Sequence, residues 1–285
     1  METLKDLRRL SRRESDVVLA YDERTGVPAA LCAPHSVFAP VVTGVGWLTT
    51  RAEADPVQRR LAARALPRAA AVWTQCSAMV PILAREWAVA PERLHYVPLG
   101  IDTDFFAEQP WDLAGSTVSS AGEDRYRDHD LLVEAVRRVR EDVPALRLEL
   151  ATGLPVDLPT DLGTLFTGRM GGRMRDLYGR STVVGIALRP TSTGSGLTVV
   201  LEAMASGRPL VVTDNPGVSD YVEHGVTGLL VPPGDVEAFA DALRQLVSDP
   251  DRARAMGRAA ADRARSDFTS AGMSAVLARI LRGAA

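Results

Sequence analysis

Cysteine is scarce, with only Cys32 and Cys76 in 285 residues. Neither sits in a C-x-x-C pair or a Cys/His cluster, so no metal site is expected. A reduced, cytoplasmic setting fits two lone thiols. The histidines His35, His95, His129 and His224 also lack metal-ligand spacing. No run of about 18 apolar residues exists, so no membrane span is expected. The opening Met1–Asp16 is charged and has no apolar centre, which argues against a signal peptide. A net charge of −3, from 33 basic and 36 acidic residues, provides no bulk field for nucleic acid. There is no G-x-S-x-G elbow to support a hydrolase triad.

The rest of the composition is ordinary for a globular protein, 46 % hydrophobic and 24 % charged. At roughly 100–200 residues per domain, the length suggests two domains. Strands are expected at Asp16–Ala20, Val41–Val45, Ala71–Cys76, Leu94–Leu99, Thr117–Ala121, Leu146–Ala151, Leu165–Gly168, Val183–Leu188, Pro209–Thr213 and Gly228–Val231. Several are unbroken apolar runs, as in parallel strands buried on both faces. Between them lie amphipathic helices. Leu131, Leu132, Ala135, Val136 and Val139 form one apolar face. Val236, Phe239, Leu243, Leu246 and Val247 form another, behind Asp235 as N-cap. A third, near the end, carries Met273, Val276, Leu277, Ile280 and Leu281. Alternating β and α units predict two Rossmann-like, doubly wound α/β domains. The boundary is expected within Ile101–Trp111. That gives a first domain over 1–108, a second over 109–268, and a last helix over 269–285 returning to the first.

The most informative segment is Thr191–Gly207, TSTGSGLTVVLEAMASG. A run of Thr, Ser and Gly opens a helix that is apolar on almost every side, through Leu197, Val199, Val200, Leu201, Ala203, Met204 and Ala205. Such a helix is buried, and Gly207 is placed to stop it. Glu202 sits inside it, and a buried carboxylate is costly without partners. Two readings stand. Glu202 pairs with an arginine or lies on a narrow exposed stripe, or it accepts hydrogen bonds from ligand hydroxyls such as a ribose diol. The preceding loop favours the second. Gly194, Ser195 and Gly196 let backbone approach a ligand. The free amides at the helix start, through Leu197 and Thr198, suit a phosphate.

From Gly196 to Asp235 the chain reads GLTVVLEAMASGRPLVVTDNPGVSDYVEHGVTGLLVPPGD. This stretch resembles the donor-binding half of the family-4 glycosyltransferases of the GT-B fold, the group 1 glycosyl transferases. ERLHYVPLGIDTDFF resembles the segment between that family's two domains. SSAGEDRYRDHDLL resembles the strand and basic loop that open its second domain. The resemblance implies two Rossmann-like domains facing a cleft, the N-terminal one shortened here. It implies a retaining transfer from a nucleoside diphosphate sugar, with a UDP-sugar favoured, to a small-molecule or glycan hydroxyl. No metal or further cofactor is implied. Glu202 matches the family's ribose-binding glutamate. Arg127, with Arg125 behind it, falls near the basic residue that contacts the diphosphate, although a solvated loop charge is the competing reading. The resemblance therefore implies that Arg127 and Glu202 carry the chemistry. Arg189 ends a strand just before the glycine loop and is a second candidate for phosphate or sugar contact. His129 lies beside the basic loop as a further candidate. Asp214 and Asn215 could reach the site or simply form a turn. His95 reads as structural and His224 as surface.

The sequence also departs from the family. The first glutamate of its E-x(7)-E motif would fall at position 194, which is Gly194. Ser195, Thr193 or backbone amides are left to substitute. The family's Gly-rich loop and central His-Gly have no counterpart in the N-terminal part; Val45-Gly46 stands in place of the latter. A protein partner or a second copy could complete such a domain. Hence the rival reading of a non-catalytic partner or scaffold, and a third of a sugar-nucleotide epimerase. Trp47 reads equally as core, interface or acceptor platform.

Overall fold

The computed structural model describes residues 16–32, 39–111 and 116–285. The reading of Met1–Asp16 therefore falls, except for Asp16, outside the described residues, as does His35. The chain divides into two compact units. One is Met1–Pro98 with Ser192–Gly194 and Ala271–Ala285; the other is Leu99–Thr191 with Ser195–Ser270.

The first unit holds strands β1 (Val18–Ala20), β2 (Val41–Val45), β3 (Ala71–Thr74) and β4 (Leu94–Tyr96). They form a parallel sheet in chain order, β1-β2-β3-β4. Helices α1 (Glu23–Cys32), α2 (Pro56–Ala65) and α3 (Met79–Glu86) connect them. Asp55 caps α2 by accepting from the amides of Val57 and Gln58, ahead of a helix-starting Pro56. One apolar cluster joins Val27, Val45, Leu48, Leu66, Val72, Leu83 and Trp87. A second joins Val42, Ala71, Trp73 and Val97 to Ile280 of the last helix.

The second unit holds β5 (Thr117–Ala121), β6 (Arg147–Ala151), β7 (Gly163–Phe166), β8 (Val183–Ile186), β9 (Leu210–Thr213) and β10 (Leu229–Val231). All pairings are parallel, in the order β10-β9-β8-β5-β6-β7. This is the doubly wound order, and it reverses between β5 and β8. Ligands of open α/β sheets bind at such a reversal, beyond the carboxyl ends of the strands. The unit's helices are α4 (His129–Asp142), α5 (Arg173–Gly179), α6 (Leu197–Ala205), α7 (Val236–Ser248) and α8 (Pro250–Asp267); α9 (Ser270–Ala284) follows. Asp235 caps α7 through the amide of Ala238. Two bonds close α6, Gly207 N–H to Met204 O and Arg208 N–H to Ala203 O, the Schellman pattern.

Two boundaries differ from the sequence reading. Leu165–Gly168 was expected as a strand, but β7 runs two residues earlier, Gly163–Phe166. The reason is close approach. A Cβ at Gly163 would lie 2.0 Å from the carbonyl oxygen of Leu148, so this position pairs with β6 only as glycine. The units divide at Pro98–Leu99, ahead of Ile101–Trp111 and of residue 108. Ile101 is tied to the second unit by backbone bonds, its N–H to Phe268 O at 2.8 Å and its O from Ser270 N–H at 2.9 Å. Phe106 packs edge-on against Tyr178, with ring centroids 6.1 Å apart.

Candidate functional site

Two loops meet at the reversal of the second sheet. One follows β5 and runs from Gly122 to Asp128; the other follows β8 and leads to α6. They are stitched together by Asp128 N–H to Ala187 O at 3.0 Å and Arg189 N–H to Tyr126 O at 2.7 Å.

Arg127 is the centre of this arrangement. It is 7 % exposed, which is rare for an arginine. Its Nε donates to Asp124 Oδ2 at 2.9 Å. Its Nη1 is buried without a hydrogen-bond partner. Burial pushes the guanidinium pKa down, and Asp124 opposes that shift. Gly122 makes the room. Its φ is +147°, and a Cβ there would sit 2.1 Å from Arg127 Nε. The orphaned Nη1 lies by the start of α6: a Cβ on Gly196 would be 3.6 Å from it. Gly196 caps α6 in the left-handed conformation, φ 85°, and no side chain caps the helix. The first amides of a helix have no partner within it. An unpartnered guanidinium nitrogen and a helix start therefore share one spot, with the charge and donors an anion needs.

Asp124 fixes this corner. Its Oδ1 accepts from the Tyr126 amide at 3.0 Å and from Ser195 Oγ at 2.8 Å. One carboxylate thus orders both loops.

In α6, seven residues are buried and only Thr198 and Glu202 reach the surface, one helical turn apart. Glu202 has no ion pair among the described residues. Its Oε2 accepts from the hydroxyl of Tyr178 at 2.6 Å. Burial raises the Glu202 pKa, while the Tyr178 hydrogen bond and the charge of Arg127 oppose the rise. Tyr178 is fully buried, and its phenol pKa is pushed well above the ordinary tyrosine value, by burial first and by Glu202 second.

Of the residues singled out from sequence, Arg127, Ser195, Gly196, Leu197, Thr198 and Glu202 come together here. Gly194 belongs to the Ser192–Gly194 segment grouped with the first unit. Arg125 is exposed, and its guanidinium lies over its neighbour's ring, 4.8 Å from the Tyr126 centroid. Arg189 is exposed as well, and its backbone rather than its side chain is engaged. Asn215 is buried, and its Nδ2 holds the Arg189 carbonyl at 3.0 Å, so it supports the loop beyond simple turn formation. His129 is buried, with Nε2 at 3.1 Å from Gly122 O, and braces the loop from beneath. His224 is exposed and accepts from the Leu230 amide.

Sequence reasoning did not single out Tyr178 or Asp124. Tyr178 carries no local signal, because its partner is 24 positions away. Asp124 stands three before Arg127 in a loop of mixed charge, and that spacing was the one available hint. In the first unit, Trp47 is 37 % exposed, and its amide and that of Gly46 donate to the buried Glu23 carboxylate at 2.9 and 3.0 Å. A cavity of about 480 Å³ opens there between β4 and α9, lined in part by Glu92, His95, Tyr96 and Arg279. Among the described residues, no group of three or more His, Cys, Asp or Glu could hold a metal ion. No helix among them is long and apolar enough to cross a membrane.

Known proteins resemble this chain in sequence and in fold. The glycosyl transferases group 1 family matches residues 116–249. A GDP-mannose-dependent alpha-(1-6)-phosphatidylinositol monomannoside mannosyltransferase of Mycobacterium tuberculosis is 30 % identical over 223 residues, 67 % of this chain and 56 % of the relative. A D-inositol 3-phosphate glycosyltransferase of Kribbella flavida is 34 % identical over 157 residues, 47 % of this chain and 36 % of the relative. The chain thus spans about half, or less, of the length of these relatives. Among solved structures, Anabaena Alr3699/HepE in complex with UDP superposes with a TM-score of 0.82 at 17 % identity, over 99 % of this chain and 81 % of that one. TarM gives 0.81 at 15 % identity, over 98 % of this chain and 57 % of that one. These two likenesses speak for the fold.

Proposed function

We propose that this chain, whose residues 116–249 match the glycosyl transferases group 1 family and whose fold is shared with Alr3699/HepE, moves a sugar from a nucleoside diphosphate donor to a hydroxyl acceptor with retention. The observation that carries the donor site is the buried, unpartnered Nη1 of Arg127 beside the uncapped start of α6. A buried guanidinium nitrogen left without an acceptor costs free energy that a phosphate oxygen would recover. Ser195 and the amides of Gly196, Leu197 and Thr198 would flank that phosphate. Glu202, one turn further on, would accept the ribose hydroxyls.

In the reaction, negative charge grows on the departing diphosphate. Arg127 and the helix start are fixed in place before that charge appears, which is what electrostatic stabilisation requires. Replacing Arg127 leaves the leaving group without its cation. The acceptor hydroxyl then attacks on the face that the diphosphate leaves, and a phosphate oxygen takes its proton. A UDP-sugar is the donor expected from the sequence. The GDP-mannose in the name of the mycobacterial relative makes GDP the competitor.

The test is calorimetry of UDP and GDP with the parent and Arg127→Ala. Loss of charge-assisted hydrogen bonds of about 1.5–3 kcal/mol corresponds to roughly 10- to 100-fold weaker binding of the preferred diphosphate. Equal affinity in the two proteins would remove Arg127 from the site. A donor-turnover assay run alongside separates the enzyme from a non-catalytic partner, which would bind nucleotide without consuming the sugar donor.

A further inference from the structure

Glu202 is not a free acceptor. One of its two oxygens, Oε2, is already taken by the Tyr178 hydroxyl at 2.6 Å. Tyr178 itself is held on several sides. Its ring is fully buried and packs against Phe106. Its carbonyl accepts from Nε of the buried Arg208 at 2.8 Å, and the same guanidinium binds the carbonyls of Pro110 and Gly179 at 2.6 Å. The phenol oxygen therefore sits at a fixed point, and it sets where the flexible glutamate ends.

We propose that Tyr178 is a positioning residue for donor binding: its hydroxyl holds Oε2 of Glu202 so that Oε1 alone is presented to the ribose hydroxyls of the nucleotide. This rests on the assignment of Glu202 to the ribose made above. The chemistry is that of a one-sided acceptor. A carboxylate free to rotate loses side-chain entropy when it binds a diol. One pinned by a buried phenol has lost it already. The same bond favours the ionised carboxylate, the form that can accept from hydroxyls, against the opposing effect of burial. The titratable groups recorded as facing Glu202 are Tyr178 on α5 and Arg127 in the loop after β5. Burial raises the Glu202 pKa first, and those two groups oppose the rise.

The experiment compares UDP and GDP with their 2′,3′-dideoxy forms in the full chain, by calorimetry across about pH 5 to 8. In Tyr178→Phe, the ribose-containing nucleotide should bind about two- to tenfold weaker, the scale of one hydrogen bond, while the dideoxy form is unchanged. The preference for ribose should also fade at a higher pH than in the parent, because the carboxyl has lost the bond that favours its ionised form. Tyr178→Phe in an E202Q background should add no further loss. A general packing defect would weaken both nucleotides alike and leave the pH profile in place; that result overturns the proposal. If Tyr178→Phe keeps the preference and the profile while E202Q loses the preference, the ribose assignment survives and the role of Tyr178 does not. If E202Q itself keeps the preference, both fall together. Should Tyr178→Phe fail to fold, 3-fluorotyrosine at position 178 decides. It keeps the ring in place and makes the phenol a stronger donor, so the pH at which the ribose preference fades should fall below that of the parent, and an unchanged midpoint overturns the proposal.

Discussion

At the residue scale, the site depends on a side chain that is absent. Gly122 has φ +147°, and the space a Cβ would fill is occupied by the Arg127 guanidinium. Alanine there has two costs at once, a backbone in a region L residues avoid, at about 1–3 kcal/mol, and a displaced arginine. Gly122→Ala should therefore lower the melting temperature and weaken nucleotide diphosphate binding together, in calorimetry of both kinds. A stability loss with unchanged affinity would mean that the guanidinium is not where the phosphate binds. Glu202 could be singled out from sequence because an acid in an oily helix is chemically out of place, whereas Arg127, one charge among several in its loop, stood out only through the family resemblance. Asp124 and Tyr178 look unremarkable in sequence. Their meaning lies wholly in what they touch.

At the element scale, α4 carries the loop that holds Arg127. Asp128 caps the helix through the Leu131 amide, and His129 turns inward beneath the loop to the Gly122 carbonyl. A carbonyl only accepts, so the geometry assigns the proton to Nε2. Burial lowers the His129 pKa first, and Arg127 adds to the effect, while the bond to Gly122 O opposes it. The sign follows. In the unfolded chain the imidazole titrates near 6.5, and in the folded chain it does so lower, so the unfolded state takes up the proton first. Stability from the neutral His129 is complete above that value and is lost as pH falls below it. Between about pH 7.5 and 5.5, the melting temperature of the parent should fall more than that of His129→Gln, in which this titration is absent. Identical slopes would show that His129 is not buried neutral. The cap at Asp128 and the apolar face of α4 needed only local sequence, whereas the inward turn of His129 needed the loop above it.

At the scale of the whole molecule, the last helix belongs to the first unit although it lies at the far end of the sequence. Its apolar face, Met273, Val276, Leu277 and Ile280, meets Val42, Ala71, Trp73 and Val97 of the first sheet. Ile280→Asp would place an unpartnered carboxylate against that cluster. The urea midpoint read by tryptophan emission should drop, with a loss of about 2–5 kcal/mol from lost packing and a buried charge. An unchanged midpoint would show that α9 contributes nothing to the stability of this sheet.

The sequence determined the elements. All ten expected strands have a counterpart, because unbroken β-branched runs bounded by Gly, Pro and Asp have few alternatives locally. Asp235, and Gly207 behind α6, could be read as helix signals because capping is settled within a few residues. The tertiary structure decided what those elements assemble. Strand order placed β5 beside β8, and so brought Asp124 to Ser195 across 71 positions, while burial in one apolar cluster of the helices on either side of β8 brought Tyr178 to Glu202 across 24. Such encounters are fixed by sheet order and burial, which act between distant segments and leave no periodic trace in the chain.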